Sequence, residues 1–299
     1  MAVAVFSHPS SLLHNPGPGH PESPARLKSV LGEFQQMAKG GVVNLLEAAA
    51  AERELLEKVH PKDYLDRLEA LSEKGGAMID GDTFLSADTY EAAVFAAGQM
   101  VAAADSALDG THSFAAVRPP GHHATSDVAM GFCFINNVVV AAIAALQRDG
   151  VHRVLIVDWD VHHGNGTQAL VESDERIRFV SMHQWPLYPG TGRESERGVG
   201  NVFNLPQPPG LPPDDYVRVL SAGVERATKD WKPDLMLISA GFDAMAGDPL
   251  AGFTLEPEHY SEWIERWRTL DVPIAAVLEG GYDPDRIRLA ARATVAALA

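Results

Sequence analysis

The chain has 299 residues, 40 acidic and 24 basic, and a formal charge of −16, an excess that disfavours nucleic-acid partners, which are held by Lys and Arg on phosphates. Hydrophobic and charged contents of 46% and 21% exclude disorder over the whole length, and the single cysteine, Cys133, excludes an intramolecular disulfide and suits a reducing cytoplasm. The longest apolar run, Val138 to Leu146, falls far short of the ~20 residues that cross a bilayer and residues 1–15 lack the form of a secretion signal, so a cytoplasmic protein with one domain over 1–299 and no membrane partner is expected.

In chain order, Val3–Phe6 reads as a buried strand and Tyr90–Leu108 as a helix. The strand Ser113–Val117 runs into Arg118-Pro-Pro-Gly-His-His123, and a helix is expected over Asn136–Gln147. The strand Val154–Asp158 closes with Asp158-Trp-Asp-Val-His-His163. Ile177–Met182 is followed by His183. The proline-rich stretch Pro206–Pro213 reads as a loop, and Asp214–Lys229 as a helix. Leu235–Ser239 is followed by Gly241-Phe-Asp243, then by a helix at Pro257–Leu270. The last strand, Ile274–Leu278, leads into Glu279-Gly-Gly-Tyr282. Short apolar runs alternating with amphipathic ones indicate an α/β fold: one open parallel sheet with helices on both faces. A closed eight-stranded barrel is the alternative, for which clear strand–helix pairs are too few.

Five strands thus deliver ionisable or glycine-rich segments to their carboxyl ends, where open parallel sheets bind ligands. Asp160 and His162 are two residues apart, and alternate side chains share a side; both can converge on one cation. Asp243 can supply a third ligand, or cap a helix. One imidazole and two carboxylates with an open position suit catalytic zinc, and without a thiolate also iron(II). His122 and His123 are poor joint ligands for one ion, being adjacent, and are better suited to proton handling. Asp158 can orient one of them from behind the metal; His163 points away from His162. Tyr282, after a double glycine that permits close backbone approach, can donate to a developing oxyanion. Taken singly it reads as a packed tyrosine.

RPPGHHA at 118–124, GFCFINN at 131–137, VDWDVHHGNGTQ at 157–168, SAGFDAMAGDPL at 239–250 and LEGGYD at 278–283 together resemble the zinc-dependent histone deacetylase family. The wording is similar to that of its class II branch and of bacterial deacetylase-like amidohydrolases. HPESPARL at 20–27 and PGTG at 189–192 add to the likeness, which runs from about residue 8 to residue 283. The resemblance implies an arginase-like fold and hydrolysis of an acyl-amide, with Asp160, His162 and Asp243 binding one zinc ion. It implies that His122 and His123 manage protons and that Tyr282 polarises the substrate carbonyl. Phe132 becomes a wall of a narrow channel for the acyl-lysine stem; without the family it reads as a core residue. His183 and Leu250 are implied at the channel, Asp82 at its rim, and Arg26 at an inner cavity through which acetate leaves. Asp158, Asp160, His162, Ser181 and Met182 resemble a structural potassium site.

Asn165 stands where class I members carry an aspartate behind one active-site histidine. An amide cannot stabilise an imidazolium as a carboxylate does, so His123 is expected to have a lower pKa than His122, which can pair with Asp158. Three functions compete: a deacylase of acyl-lysine peptides or proteins, an amidohydrolase of small acylated amines such as acetylpolyamines, and an acyl-lysine-binding module with little turnover. Tyr282 and the metal set disfavour the third. Leu250, where polyamine-specific relatives carry glutamate, and the short Gly75–Ser86 segment favour the first.

Overall fold

The computed structural model describes residues 2–299. Its elements in chain order are β1 (Val3–Phe6), α1 (Pro24–Lys39), β2 (Val43–Leu46), α2 (Arg53–Leu56), α3 (Lys62–Glu73), β3 (Gly76–Met78), β4 (Phe84–Ser86), α4 (Thr89–Leu108), β5 (Ser113–Ala115) and α5 (Asn137–Ala145). There follow β6 (Val154–Asp158), α6 (Asn165–Val171), β7 (Ile177–Gln184), β8 (Val202–Gln207), α7 (Pro213–Thr228), β9 (Leu235–Ala240), α8 (Pro257–Arg268), β10 (Ile274–Leu278) and α9 (Pro284–Leu298). Eight strands form one sheet in the order β2-β1-β5-β10-β9-β6-β7-β8, every pairing parallel. β3 and β4 form a separate antiparallel hairpin.

The apolar runs are continuous because both faces of the sheet are covered. Val3, Leu155, Val157, Met236, Ile238, Ile274 and Ala276 point into one core, shared with Phe34 of α1, Leu220 of α7 and Trp263 and Trp267 of α8. Their strand neighbours Ala4, Val154, Ile156, Leu235, Leu237, Ala275 and Val277 point into the other, against Leu65 of α3 and the alanine-rich faces of α4 and α5. A two-residue period with apolar residues in both phases requires helices on both sides.

Chain order and spatial order part company here. β9 and β10 return to fill the space between β6 and β5. The four strands β5, β10, β9 and β6 are therefore contiguous, and their following loops meet at one edge, the usual ligand position of such sheets. The proline-rich stretch differs from the expected loop at both ends. Pro206 and Gln207 belong to β8 and Pro213 opens α7. β8 is an edge strand, where proline's missing N–H costs no ladder bond, and the first turn of a helix tolerates proline equally well.

Candidate metal centre and active-site pocket

The chain leaves β6 in an extended path, and the alternation continues beyond its last residue. Trp159 and Val161 turn into the core, where Trp159 stacks on Trp263 and Trp267 at 5.6 and 5.8 Å. Asp158, Asp160 and His162 consequently face the opposite side, and all three are buried. The Nδ1 atom of His162 lies 3.1 Å from Asp160 Oδ1 and 3.1 Å from Asp243 Oδ2, and one ligand atom from each residue falls within 4.8 Å of the others.

Backbone amides aim the carboxylates. The N–H of Gly280 donates to Asp160 Oδ2 at 2.8 Å, that of His162 to Asp160 Oδ1 at 2.9 Å, and that of Val161 to Asp243 Oδ1 at 2.9 Å. A Cβ at position 280 would run into both carboxylates, so the close approach of β10's loop requires glycine. Burial alone would lower the pKa of His162, but its hydrogen bonds to Asp160 and Asp243 push it up to about 10. The two carboxylates demand positive charge at that point. A divalent cation meets the demand with His162 neutral, and one nitrogen plus two carboxylates is a donor set suited to zinc or iron(II).

The tandem histidines follow β5. Nδ1 of His122 donates to Asp158 Oδ2 at 3.0 Å, and Nδ1 of His123 donates to Asn165 Oδ1 at 2.8 Å. Their environments separate them. Burial opposes the charge on His122, yet Asp160 and Asp158 outweigh it and push its pKa up to about 10. Burial and then the charge of His122 hold His123 well below the usual imidazole range. With Nδ1 committed to Asn165, neutral His123 presents the lone pair of Nε2.

A pocket of about 200 Å³ opens over these groups, lined by His123, Gly131, Phe132, His162, Leu187, Tyr188, Leu250 and Tyr282, with Asp82 also in the lining. Phe132 adopts φ +68°, an unusual backbone for a bulky residue. Its N–H donates to Thr83 Oγ1 at 3.1 Å, and its ring meets Tyr282 edge-on at 6.0 Å.

His183, expected at the channel, is not among the residues that line the pocket. It is on β7, beyond β6, and is fully buried. Its Nδ1 meets Ser181 Oγ at 3.0 Å and its Nε2 donates to Gly192 O at 2.9 Å, with the ring 4.6 Å from that of His163. Arg26 is fully buried behind the pocket. It donates to the carbonyls of Gly281 and Glu279 and to Glu22, and its guanidinium lies 4.9 Å from the Tyr282 ring centroid.

Residues 20–298 match the histone deacetylase domain family. The chain belongs to that family. It is 40% identical to the histone deacetylase-like amidohydrolase of Pseudomonas aeruginosa over 252 residues, 81% of this chain and 66% of that protein. It is 36% identical to a probable deacetylase of Archaeoglobus fulgidus, with 94% and 82% of the two chains covered. The crystal structure of the HDA15 HD domain superposes with a TM-score of 0.94 at 34% identity, covering 99% of this chain and 88% of that one. The protein is thus a hydrolase of the deacetylase family on an open parallel α/β sheet, and its buried Asp160–His162–Asp243 cluster is consistent with the deacetylase metal site. Among the described residues no helix is long and apolar enough to cross a membrane.

Several pocket residues escaped the sequence reading. Tyr188 meets the ring of His123 at 5.2 Å and 90°, and Leu187 stands beside it in the wall. The only signal was their position directly before Pro189–Gly192. Asp248 and Glu279 were visible as polar residues within quoted motifs, but nothing in their spacing shows that their carboxylates hold backbone amides of the pocket loops.

Proposed function

We propose that the protein removes acetyl or other acyl groups from lysine side chains of peptides or proteins. The observation that carries this reading is the pocket wall. Phe132, Leu187, Tyr188 and Leu250 offer apolar surface to an aliphatic stem, and among the described residues Asp82 is the one carboxylate in the lining besides the groups at its floor. A second ammonium, as in an acetylpolyamine, would lose its water on entry without a carboxylate deep enough to receive it.

Asp160, His162 and Asp243 would hold the metal. Bound there, zinc or iron(II) supplies Lewis acidity toward a water and the amide carbonyl. His123, neutral and facing the pocket, accepts the water's proton at Nε2 as the oxygen attacks. The Tyr282 hydroxyl, without a hydrogen-bond partner among the described residues, donates to the developing oxyanion. His122, paired with Asp158 through Nδ1, stabilises the negative charge that develops beside it. His123, now protonated, returns the proton to the amine as the C–N bond breaks, and a carboxylate and a free lysine are released. Beneath the site, a structural potassium ion held by Asp158, Asp160, His162, Ser181 and Met182 belongs to the same proposal; the β6–β7 register sets Asp158 beside Ser181.

Turnover of acetyl-lysine peptides, longer acyl-lysine peptides and acetylspermidine, compared as kcat/KM at physiological salt, tests the reading. The peptides are expected to be preferred, and Leu250→Glu is expected to shift preference toward acetylspermidine. The −16 charge attracts all cations at long range, but screening over about 8 Å keeps it from fixing their register. Wild-type preference for the acetylpolyamine would overturn the lysine assignment in favour of small acylated amines.

A further inference from the structure

Tyr282 is poorly fixed by its own side chain. Its ring makes an edge contact with Phe132 at 6.0 Å and lies 4.9 Å from the Arg26 guanidinium. The residue before it, Gly281, has φ +110°, a conformation that glycine enters and leaves easily. The N–H of Tyr282 offers one more point at which the direction of the phenol can be fixed. Asp248 sits on the loop between β9 and α8, 7% exposed, with no basic side chain within ion-pair distance among the described residues. Its Oδ2 accepts the N–H of Tyr282 at 2.8 Å and its Oδ1 accepts the N–H of Leu250 at 2.9 Å. A carboxylate taken from water and held by two amides alone is costly to keep.

The loop that carries it is anchored. Ala246 N donates to Leu255 O at 2.9 Å, Leu255 N to Ala244 O at 3.1 Å, and Asp248 N to Met245 O at 3.2 Å, while Met245 and Leu255 are buried in the core. The main chain before Tyr282 is held by Phe242 N–H on Gly280 O at 3.0 Å and by Arg26 on the Gly281 carbonyl, and the N–H of Tyr282 itself is held by the Asp248 side chain of the anchored loop.

We propose that Asp248 is a positioning residue whose carboxylate fixes the Tyr282 phenol and the Leu250 rim in one register. The inference rests on the proposed role of Tyr282 as oxyanion donor. Its consequence is a specific non-additivity: loosening the brace matters to turnover only while there is a hydroxyl to misplace.

The test is a double-mutant cycle between Asp248→Ala and Tyr282→Phe, read as kcat on an acetyl-lysine peptide, with metal content and melting temperature measured on each variant. Misplacing a catalytic group by about 1 Å costs up to about 10²-fold. Asp248→Ala is therefore expected to lower kcat by about 10- to 100-fold in the wild type and by less than about 3-fold in the Tyr282→Phe background, with bound metal unchanged. Asp248→Asn has one carbonyl oxygen and keeps one of the two N–H groups. It is expected to fall between, and it carries the cycle if the alanine variant does not fold. Amide hydrogen exchange at Tyr282 and Leu250 is expected to quicken in both Asp248 variants. Equal losses in the two backgrounds, or unchanged exchange at Tyr282, would overturn the proposal. A Tyr282→Phe enzyme with undiminished kcat would instead refute the oxyanion role, and the brace with it.

Discussion

The change from Tyr282 to phenylalanine isolates one oxygen atom. The ring, its edge contact with Phe132 at 6.0 Å and its position 4.9 Å from the Arg26 guanidinium all remain. No protein group loses a partner, because among the described residues none bonds to the hydroxyl, and the backbone N–H still donates to Asp248 at 2.8 Å. Folding stability should then move by no more than about 0.5 kcal/mol, the range of substitutions that create neither cavity nor unpaired polar group. Turnover should respond very differently. Removing one preorganised oxyanion donor costs about 10²–10³ in kcat, or about 2.7–4 kcal/mol of transition-state stabilisation. The proposed role has the hydroxyl interact more strongly with the oxyanion than with the ground-state carbonyl, so the loss should appear in kcat with KM little changed. The assay is steady-state hydrolysis of an acetyl-lysine peptide, with metal content and denaturant midpoint measured on the same preparations. A variant with wild-type stability, full metal and unchanged kcat would refute the reasoning.

Two further predictions concern the metal and acid. Chelation should abolish hydrolysis and lower the melting temperature, since Asp160 and Asp243 are left facing each other around His162, and zinc or iron(II) should restore both; full activity in a demonstrably metal-free preparation would count against the site. His60 is fully buried, its Nδ1 donating to Ser126 O at 3.0 Å and its Nε2 accepting from Asn136 N at 3.0 Å, and burial lowers its pKa to about 4. It stays neutral when folded while the unfolded chain takes up a proton below about 6.5, so its contribution is fully present above that pH and is lost as pH falls. Between pH 7 and pH 5 the loss is about 2 kcal/mol. Urea unfolding at both pH values should show that much less acid sensitivity in His60→Gln, and an identical sensitivity would sink the assignment.

What was legible in the sequence follows from what kind of contact makes each feature. The two-residue period that sends Trp159 and Val161 into the core and Asp158, Asp160 and His162 to the other side is written in five consecutive residues. The strands β6, β9 and β10, with apolar residues in both phases, were equally plain. The edge strands β2 and β8 were not, because one margin of each faces away from the sheet and their composition is mixed. α1 was not among the expected elements, although its Pro24 is well placed in a first helical turn.

The pocket wall obeys a different rule. Its residues come from separate loops, and their directions are set by partners distant in sequence. Phe132 is tied to Thr83, 49 residues away, and Tyr282 to Asp248, 34 residues away. In each pair the bond is accepted from a backbone N–H, which every residue but proline carries, so neither partner leaves a compositional mark on the other. His183 shows the converse. The family resemblance implied a place at the channel, but β7 lies one strand beyond the contiguous four, and the alternation that sends Ser181 inward sends His183 after it, to Gly192. Residues that act through their own side chains along one strand can be read locally. Residues whose aim is fixed by another loop's carboxylate or hydroxyl can be read only once the loops are brought together: the wall of this pocket is built from the second kind, whereas Asp160 and His162 of the buried metal-site cluster belong to the first.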